Sequence, residues 1–346
     1  MDARLEALRA RIAAVDQELV HLAAERLTLA AKVGQAKLAQ GLPIRNYETE
    51  AEVLARYRRH AEGEGVEPEF ARRLATLLIG EAVRRQEDGR TPEGEAIARA
   101  TPAGSQRILV VGGGGNMGRG LAWFFGGQGH SVTTQDPAGP VEGFPHVEPA
   151  AGVADFEVIV LAIPLSQGPE VLRGVLAQEP RGLVVDISSL KSHLLADLRA
   201  GAARGLRVAS LHPLFGPEVR TLAGRIVAVC DCGHRGAAAD AARLFEGTAL
   251  TITRIPVERH DEYMQYGLGL SHLVSILFFT TLIRAGASFD DLATMASTTF
   301  HKQVRTAAEV ASENAEMYAE IQRLNRHSAE LYGVVRESLA ALEAAV

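Results

Sequence analysis

The chain has 346 residues, 47% hydrophobic and 23% charged, with a formal net charge of −6. That length accommodates two or three domains with sizeable cores, and the acidic balance excludes a basic nucleic-acid footprint. No apolar run reaches the ~18 residues of a membrane span, and the N-terminus is a charged amphipathic helix rather than a basic stub with an apolar core behind it. A cytoplasmic protein without membrane attachment is expected. Cys230 and Cys232 are not expected to pair, and no metal cluster is expected.

Residues 1–90 read as an all-helical domain. Leu5, Leu8, Ile12, Val15, Leu19 and Leu22 alternate spacings of three and four, a heptad seam that buries against other helices. The next seam position is Arg26, after which Leu29 and Val33 resume. A guanidinium in an apolar seam is costly unless it meets an anion. Lys37 lies three turns further along nearly the same face, ~16 Å away. Either the two cations share an anion, or both reach solvent along their aliphatic stems. The helix runs over residues 2–39 without a proline, ~55 Å, too long for the rest of this domain to cover. A second copy of the chain is expected to cover the remainder, making a homodimer.

Residues 91–105, punctuated by Pro92, Gly94, Pro102 and Gly104, read as a linker. Residues 106–255 alternate apolar runs (107–111, 132–135, 158–163, 183–186, 208–211 and 226–229) with helical stretches, the pattern of a parallel α/β sheet. The first run leads into ILVVGGGGNMGRGLAWFF, which sets Gly113-x-Gly115-x-x-Gly118 between a strand and a helix. Glycines there permit a tight turn, close approach of a pyrophosphate and helix–strand packing, so Gly113, Gly115, Asn116, Met117 and Gly118 are expected to bind a dinucleotide on a Rossmann-type domain. Asp136 ends the second strand, where a carboxylate suits ribose hydroxyls and repels a 2′-phosphate, favouring NAD over NADP. AIPL, with Ile163 and Pro164, and DISSLK end two later strands on the ligand-bearing edge. SLHPLFGPE places His212 after another strand at that edge, the position of an acid–base group. Residues 256–346 read as helical again, and the apolar stretch 268–282 is a second place for two copies to meet.

The N-terminal block, through LEALRARIAAVDQELVHLAAER, KVGQAKLAQGLPI and ETEAEVL, resembles the all-helical chorismate mutases. The resemblance implies that Arg9, Arg26 and Lys37 bind two substrate carboxylates, with Arg9 reaching into the partner's site. It also implies that Glu50 and Gln86 contact the substrate hydroxyl and ether oxygen. Such a rearrangement needs a dianion held in a chair-like conformer and positive charge beside the ether oxygen, not an acid, base or nucleophile. Three positions depart from the pattern: Asn46 replaces an Asp, Thr49 an Arg and Ala82 a Ser.

The block from Arg107 onward resembles the prephenate dehydrogenases, through VVGGGGNMG, SSLK, LHPLFGP, RHDEYMQYGLGLSHL and, more weakly, MYAEIQRLN. This implies that His212 takes the proton of the substrate's C4 hydroxyl as hydride leaves to NAD, with Ser189 orienting the histidine and the nicotinamide. His272 is implied as a substrate contact, and His260 as either a contact or a structural residue. Tyr318 and Asn325 match an aromatic and an amide near the pocket. The family's carboxylate-binding Arg falls on Glu309. Arg305, one turn earlier, either reaches the same ligand or pairs with Glu309. Together the blocks resemble bifunctional chorismate mutase–prephenate dehydrogenases of tyrosine biosynthesis. They imply a multi-domain α and α/β chain, with a helical mutase domain, a Rossmann domain and a helical substrate-binding and dimerisation domain. Two alternatives stand beside this. One is the same pair of reactions on 4-amino-4-deoxy analogues, motivated by Asn46, Thr49 and Glu309. The other is a regulator that binds NAD and an aromatic acid without turnover, against which His212 and Ser189 argue.

Overall fold

The computed structural model describes residues 3–40, 45–88, 104–217, 219, 221–312 and 315–346. Of the expected linker, residues 91–103 lie outside the described residues.

Three helices open the chain: α1 (Ala3–Ala39), α2 (Tyr47–Glu64) and α3 (Pro68–Asp88). The Asn46 side chain caps α2 by accepting a hydrogen bond from the Thr49 N–H at 3.0 Å, and Gly65, at φ 67°, ends it in the left-handed region. Pro68 starts α3, where its missing N–H costs nothing. α1 packs closely on α3 around Gly34, where an added Cβ would lie 2.7 Å from the Gln86 side chain. The buried set here is thin: Leu27, Ala61, Ala71, Ala75, Ile79 and Ala82. The seam from Leu5 to Leu22 is exposed along its whole length, with Leu8 at 56% and Ile12 at 60%.

The second region is a seven-stranded sheet in the order β2-β1-β3-β4-β5-β6-β7. Its strands are β1 (Arg107–Val111), β2 (Ser131–Gln135), β3 (Val158–Leu161), β4 (Leu183–Asp186), β5 (Val208–Pro213), β6 (Ile226–Asp231) and β7 (Thr251–Pro256). Helices α4 (Asn116–Gly127), α5 (Gly168–Ala177), α6 (Leu195–Ala203) and α7 (Ala237–Arg243) connect them. Strands β2, β1, β3, β4 and β5 are parallel, and β3 to β5 are fully buried, which is why they read as apolar runs. The expectation of an all-parallel sheet is corrected at β6, which runs antiparallel to β5. Among the described residues of 214–225 there is no helix to carry a crossover, and β6 returns beside β5 in the opposite direction. The unanticipated β7 is a mostly exposed edge strand and lacks an apolar run. Cys230 and Cys232 are both unpaired and buried in one core cluster, where burial pushes their thiols up to about 12.

The C-terminal region comprises α8 (Val257–Met264), a π-helical segment (Gln265–Leu270), α9 (Ser271–Arg284), α10 (Phe289–Thr294), α11 (Thr298–Ser312), α12 (Ala315–Leu324) and α13 (Ser328–Ala345). By length and composition the helical run Val257–Arg284 is apolar enough to cross a membrane, contrary to the expectation from uninterrupted apolar runs. Gln, Ser, Thr and His interrupt those runs, yet residues 265–282 contain no Asp, Glu, Lys or Arg. Only 11% of that apolar window is buried within one protomer.

Candidate active site

The glycine turn after β1 is a cradle that side chains would fill. Gly112 takes φ 80°, and a Cβ there would lie 2.2 Å from the Ala162 carbonyl oxygen. A Cβ on Gly113 would meet Thr134 at 2.8 Å, and one on Gly118 would meet the Gly112 carbonyl oxygen at 2.0 Å. Gly115 caps α4 without a side-chain hydrogen bond, so the helix N-terminus that begins with Asn116 and Met117 has no side-chain cap. Asp136 closes the turn from β2, accepting from the Gly114 N–H and the Ala138 N–H, both at 2.9 Å. The loop after β3 brings Ile163 against Gly112 and leaves Pro164 exposed. This arrangement fits a dinucleotide pyrophosphate with a carboxylate at the ribose end. Gly112 was not singled out in the sequence, because a run of four glycines hides which one takes the left-handed turn.

The adjoining strand ends carry a buried polar network. The Lys191 ammonium, on a residue 1% exposed, donates to Asp186 at 2.7 Å and to the carbonyls of Ser188 and Leu211 at 2.6 and 2.7 Å. Asp186 also accepts from the hydroxyls of Ser188 and Ser210. Burial alone would raise its carboxyl, but Lys191 and these hydroxyls hold it below the usual carboxylate range. Lys191 lies within the DISSLK motif, and only its folded environment distinguishes it from a surface lysine.

His212 sits on β5 itself, which runs two residues beyond the expected end at Leu211, and is 4% exposed. Its Nδ1 lies 2.9 Å from Nε2 of His260, whose Nδ1 lies 2.6 Å from Asp261 Oδ1. Asp261 accepts in turn from the backbone N–H groups of Lys191 and Ser192 and from the Ser192 hydroxyl. Burial drives the His212 imidazole well below its usual value, with His260 and Lys191 adding to that effect and Asp261 opposing it. His212 is therefore a neutral base at physiological pH. Ser189 is half-buried on the loop that carries this network.

Of the two readings of His260, its surroundings match the structural one: it is fully buried behind His212, and both its ring nitrogens are engaged by protein. Asn325 likewise braces the helix start, donating to the Asp261 carbonyl at 3.2 Å and accepting from the His327 N–H. His272 packs edge-on against the buried Tyr318 at 4.4 Å between ring centroids. Arg305 is exposed and pairs with Glu309 at 3.7 Å, the second of the two readings its spacing allowed.

In the helical region, Arg26 donates to the Leu78 carbonyl at 3.0 Å and Gln86 to the Ala30 carbonyl at 2.6 Å, so both tie α1 to α3. Lys37 is half-buried, and burial lowers its ammonium. Arg9 is exposed on the N-terminal half of α1. Glu50 does not face this group in the single chain. It is buried against the sheet region, accepting from the Thr221 hydroxyl at 2.5 Å and the Ala223 N–H at 2.8 Å.

Comparison with known proteins agrees with this division. The chorismate mutase type II family model matches residues 8–87, and the nucleotide-binding domain of prephenate dehydrogenase matches residues 143–253. The chain is 29% identical to the T-protein of Enterobacter agglomerans over 322 residues, covering 93% of this chain and 82% of that one. It is also 29% identical to the 4-amino-4-deoxyprephenate dehydrogenase of Streptomyces pristinaespiralis over 233 residues, 63% of this chain and 77% of the relative. The fold superposes on the prephenate dehydrogenase from A. aeolicus, solved with hydroxyphenyl propionate and NAD+, with a TM-score of 0.57 and 21% identity, covering 69% of this chain and 89% of that one. Two family domains thus follow one another in this chain, a type II chorismate mutase domain and a prephenate dehydrogenase nucleotide-binding domain.

Proposed function

We propose that the chain is a bifunctional enzyme of tyrosine biosynthesis. Its first domain rearranges chorismate to prephenate, and the remainder oxidatively decarboxylates prephenate to 4-hydroxyphenylpyruvate with NAD. The observation that carries the reading is the neutral, buried His212 held at the sheet edge next to a glycine cradle. NAD, when bound, supplies the hydride acceptor. Gly113, Gly115 and Gly118 admit its pyrophosphate, and Asp136 favours free ribose hydroxyls over a 2′-phosphate. His212 takes the proton of the C4 hydroxyl as the C4–H bond breaks, Ser189 orients it, and His272 with Tyr318 forms a wall of the substrate pocket. Loss of the ring carboxylate as CO2 then follows from aromatisation.

The motives for the 4-amino analogues weaken on inspection. Asn46 is occupied as the cap of α2, with Thr49 supplying the capped N–H, and Glu309 is an exposed partner of Arg305. Each residue has a local duty that does not involve the C4 substituent. In the mutase domain, Arg26 and Lys37 line one face of α1 toward α3, and Arg9 projects where a second copy would supply the other half of the site. The exposed seam of α1 and the apolar run 265–282 support a homodimer joined at both places.

The test is His212→Asn. It is expected to lower dehydrogenase kcat by about 100-fold or more, the size of a general-base contribution, with NAD affinity unchanged. Near-normal turnover would show that another group takes the proton. Assaying prephenate and its 4-amino analogue side by side should give the higher kcat/KM for prephenate.

A further inference from the structure

Asp261 accepts from the N–H groups of Lys191 and Ser192 and from the Ser192 hydroxyl, so it is an ionised acceptor with no proton of its own to give. Burial would raise its carboxyl, but the hydrogen bonds from His260, Ser192 and Lys191 hold it well below the usual carboxylate range. The contact from His260 Nδ1 must therefore be an N–H donating to Asp261. A neutral His260 then presents a bare Nε2, which can only accept. Among the described residues the donor that faces it is Nδ1 of His212 at 2.9 Å. With its proton on Nδ1, His212 keeps Nε2 as a lone pair, and among the described residues Nε2 has no protein partner.

We propose that His260 and Asp261 are positioning residues that fix the tautomer of His212, so that Nε2 is the basic atom of the dehydrogenase reaction. This rests on His212 being the base. When Nε2 accepts the substrate proton, His212 becomes an imidazolium whose Nδ1–H still donates to His260. The His260–Asp261 pair stabilises that charge through the bond without accepting the proton. No proton crosses the relay. The arrangement spans two regions, because His260 and Asp261 belong to α8 whereas His212, Lys191 and Ser192 belong to the sheet edge. Docking of α8 onto residues 190–192 therefore sets the protonation pattern of the base. Neither ring nitrogen of a solvated histidine would be so constrained.

The experiment uses the full-length protein with isotopically labelled histidine nitrogens. Long-range proton–nitrogen NMR spectra report which ring nitrogen carries the proton, with the His212 signals assigned by their loss in His212→Asn. In the wild type His212 is expected to be protonated on Nδ1 and bare at Nε2. In His260→Leu, which removes the acceptor, the proton is expected to move to Nε2 in a large fraction of molecules. The kcat should fall by about 100-fold while KM for prephenate stays within about threefold. In His260→Gln the side-chain carbonyl can accept from His212 and the amide can donate to Asp261, so turnover is expected within about tenfold of wild type. A wild-type His212 protonated on Nε2 would overturn the proposal, as would a His260→Leu variant with unchanged tautomer and turnover. Should His260→Leu fail to fold, the wild-type spectrum and His260→Gln decide the matter. Normal turnover in His212→Asn would instead remove the base assignment, a separate outcome from any change in tautomer.

Discussion

The dehydrogenase region and the mutase helices treat their ionisable groups in opposite ways. At the sheet edge, Lys191, Asp186, His212, His260 and Asp261 are all buried and bonded to one another within a single chain. In the mutase region, Arg9 is exposed, Arg26 and Gln86 tie two helices together through backbone carbonyls, and the apolar seam from Leu5 to Leu22 is exposed. The difference teaches what each site lacks. The first is prewired within a single chain, whereas the second, in the homodimer proposed above, is half a site that another protomer closes. A seam of this length left in water would expose a contiguous apolar patch beyond that of ordinary monomers.

The strongest way to break this comparison is to unpair the buried network. Lys191→Met leaves Asp186 uncompensated in the core and is expected to destabilise the sheet region by about 3–5 kcal/mol, lowering its melting temperature by roughly 6–20 °C. Circular dichroism melting checks it, and a fall of less than about 3 °C would mean that the pair is not holding the strand ends together. Next in size is Arg26→Ala, which should lower mutase turnover by about 100- to 1,000-fold while leaving the dehydrogenase reaction within about twofold. Mutase activity within about threefold of wild type would reduce Arg26 to a helix tie.

Acidification sharpens the contrast from another side. Burial depresses His193, His212 and His260 below their ordinary values. The unfolded chain binds protons at these positions near pH 6.5 and the folded chain does not, so this stability is present above about pH 6.5 and is lost as pH falls further. The sheet region should weaken by roughly 1 kcal/mol per histidine for each pH unit below that point. A melting temperature that rose between about pH 7 and pH 5.5 would show that these imidazoles are charged in the fold.

The smallest effect is expected where the two regions touch. Thr221→Val removes the hydroxyl that donates to Glu50 and should cost about 1 kcal/mol of stability, with dehydrogenase kcat unchanged. Mutase kcat/KM should rise modestly, because Glu50 must leave Thr221 to meet a substrate hydroxyl. A fall would show that Thr221 orients Glu50 productively.

Much of this was legible in the sequence, and for local reasons. The heptad spacing from Leu5 onward dictates α1, since apolar side chains three and four apart share a helix face. Gly113 and Gly118 between an apolar run and a helix dictate the cradle, because a Cβ there would press into the Thr134 side chain and the Gly112 carbonyl. His212 at a strand end on the ligand-bearing edge needs no more than the order of elements. What the tertiary structure alone decided involves residues far apart in sequence. The reversal of β6, the burial of Lys191 beside Asp186, the placing of His260 behind His212, and the turning of Glu50 toward Thr221 all depend on which surfaces meet. A histidine, a lysine and a glutamate carry the same chemistry in any sequence. Whether each faces solvent, a ligand or another side chain is set by desolvation and hydrogen bonding in the folded chain, and no local spacing encodes those.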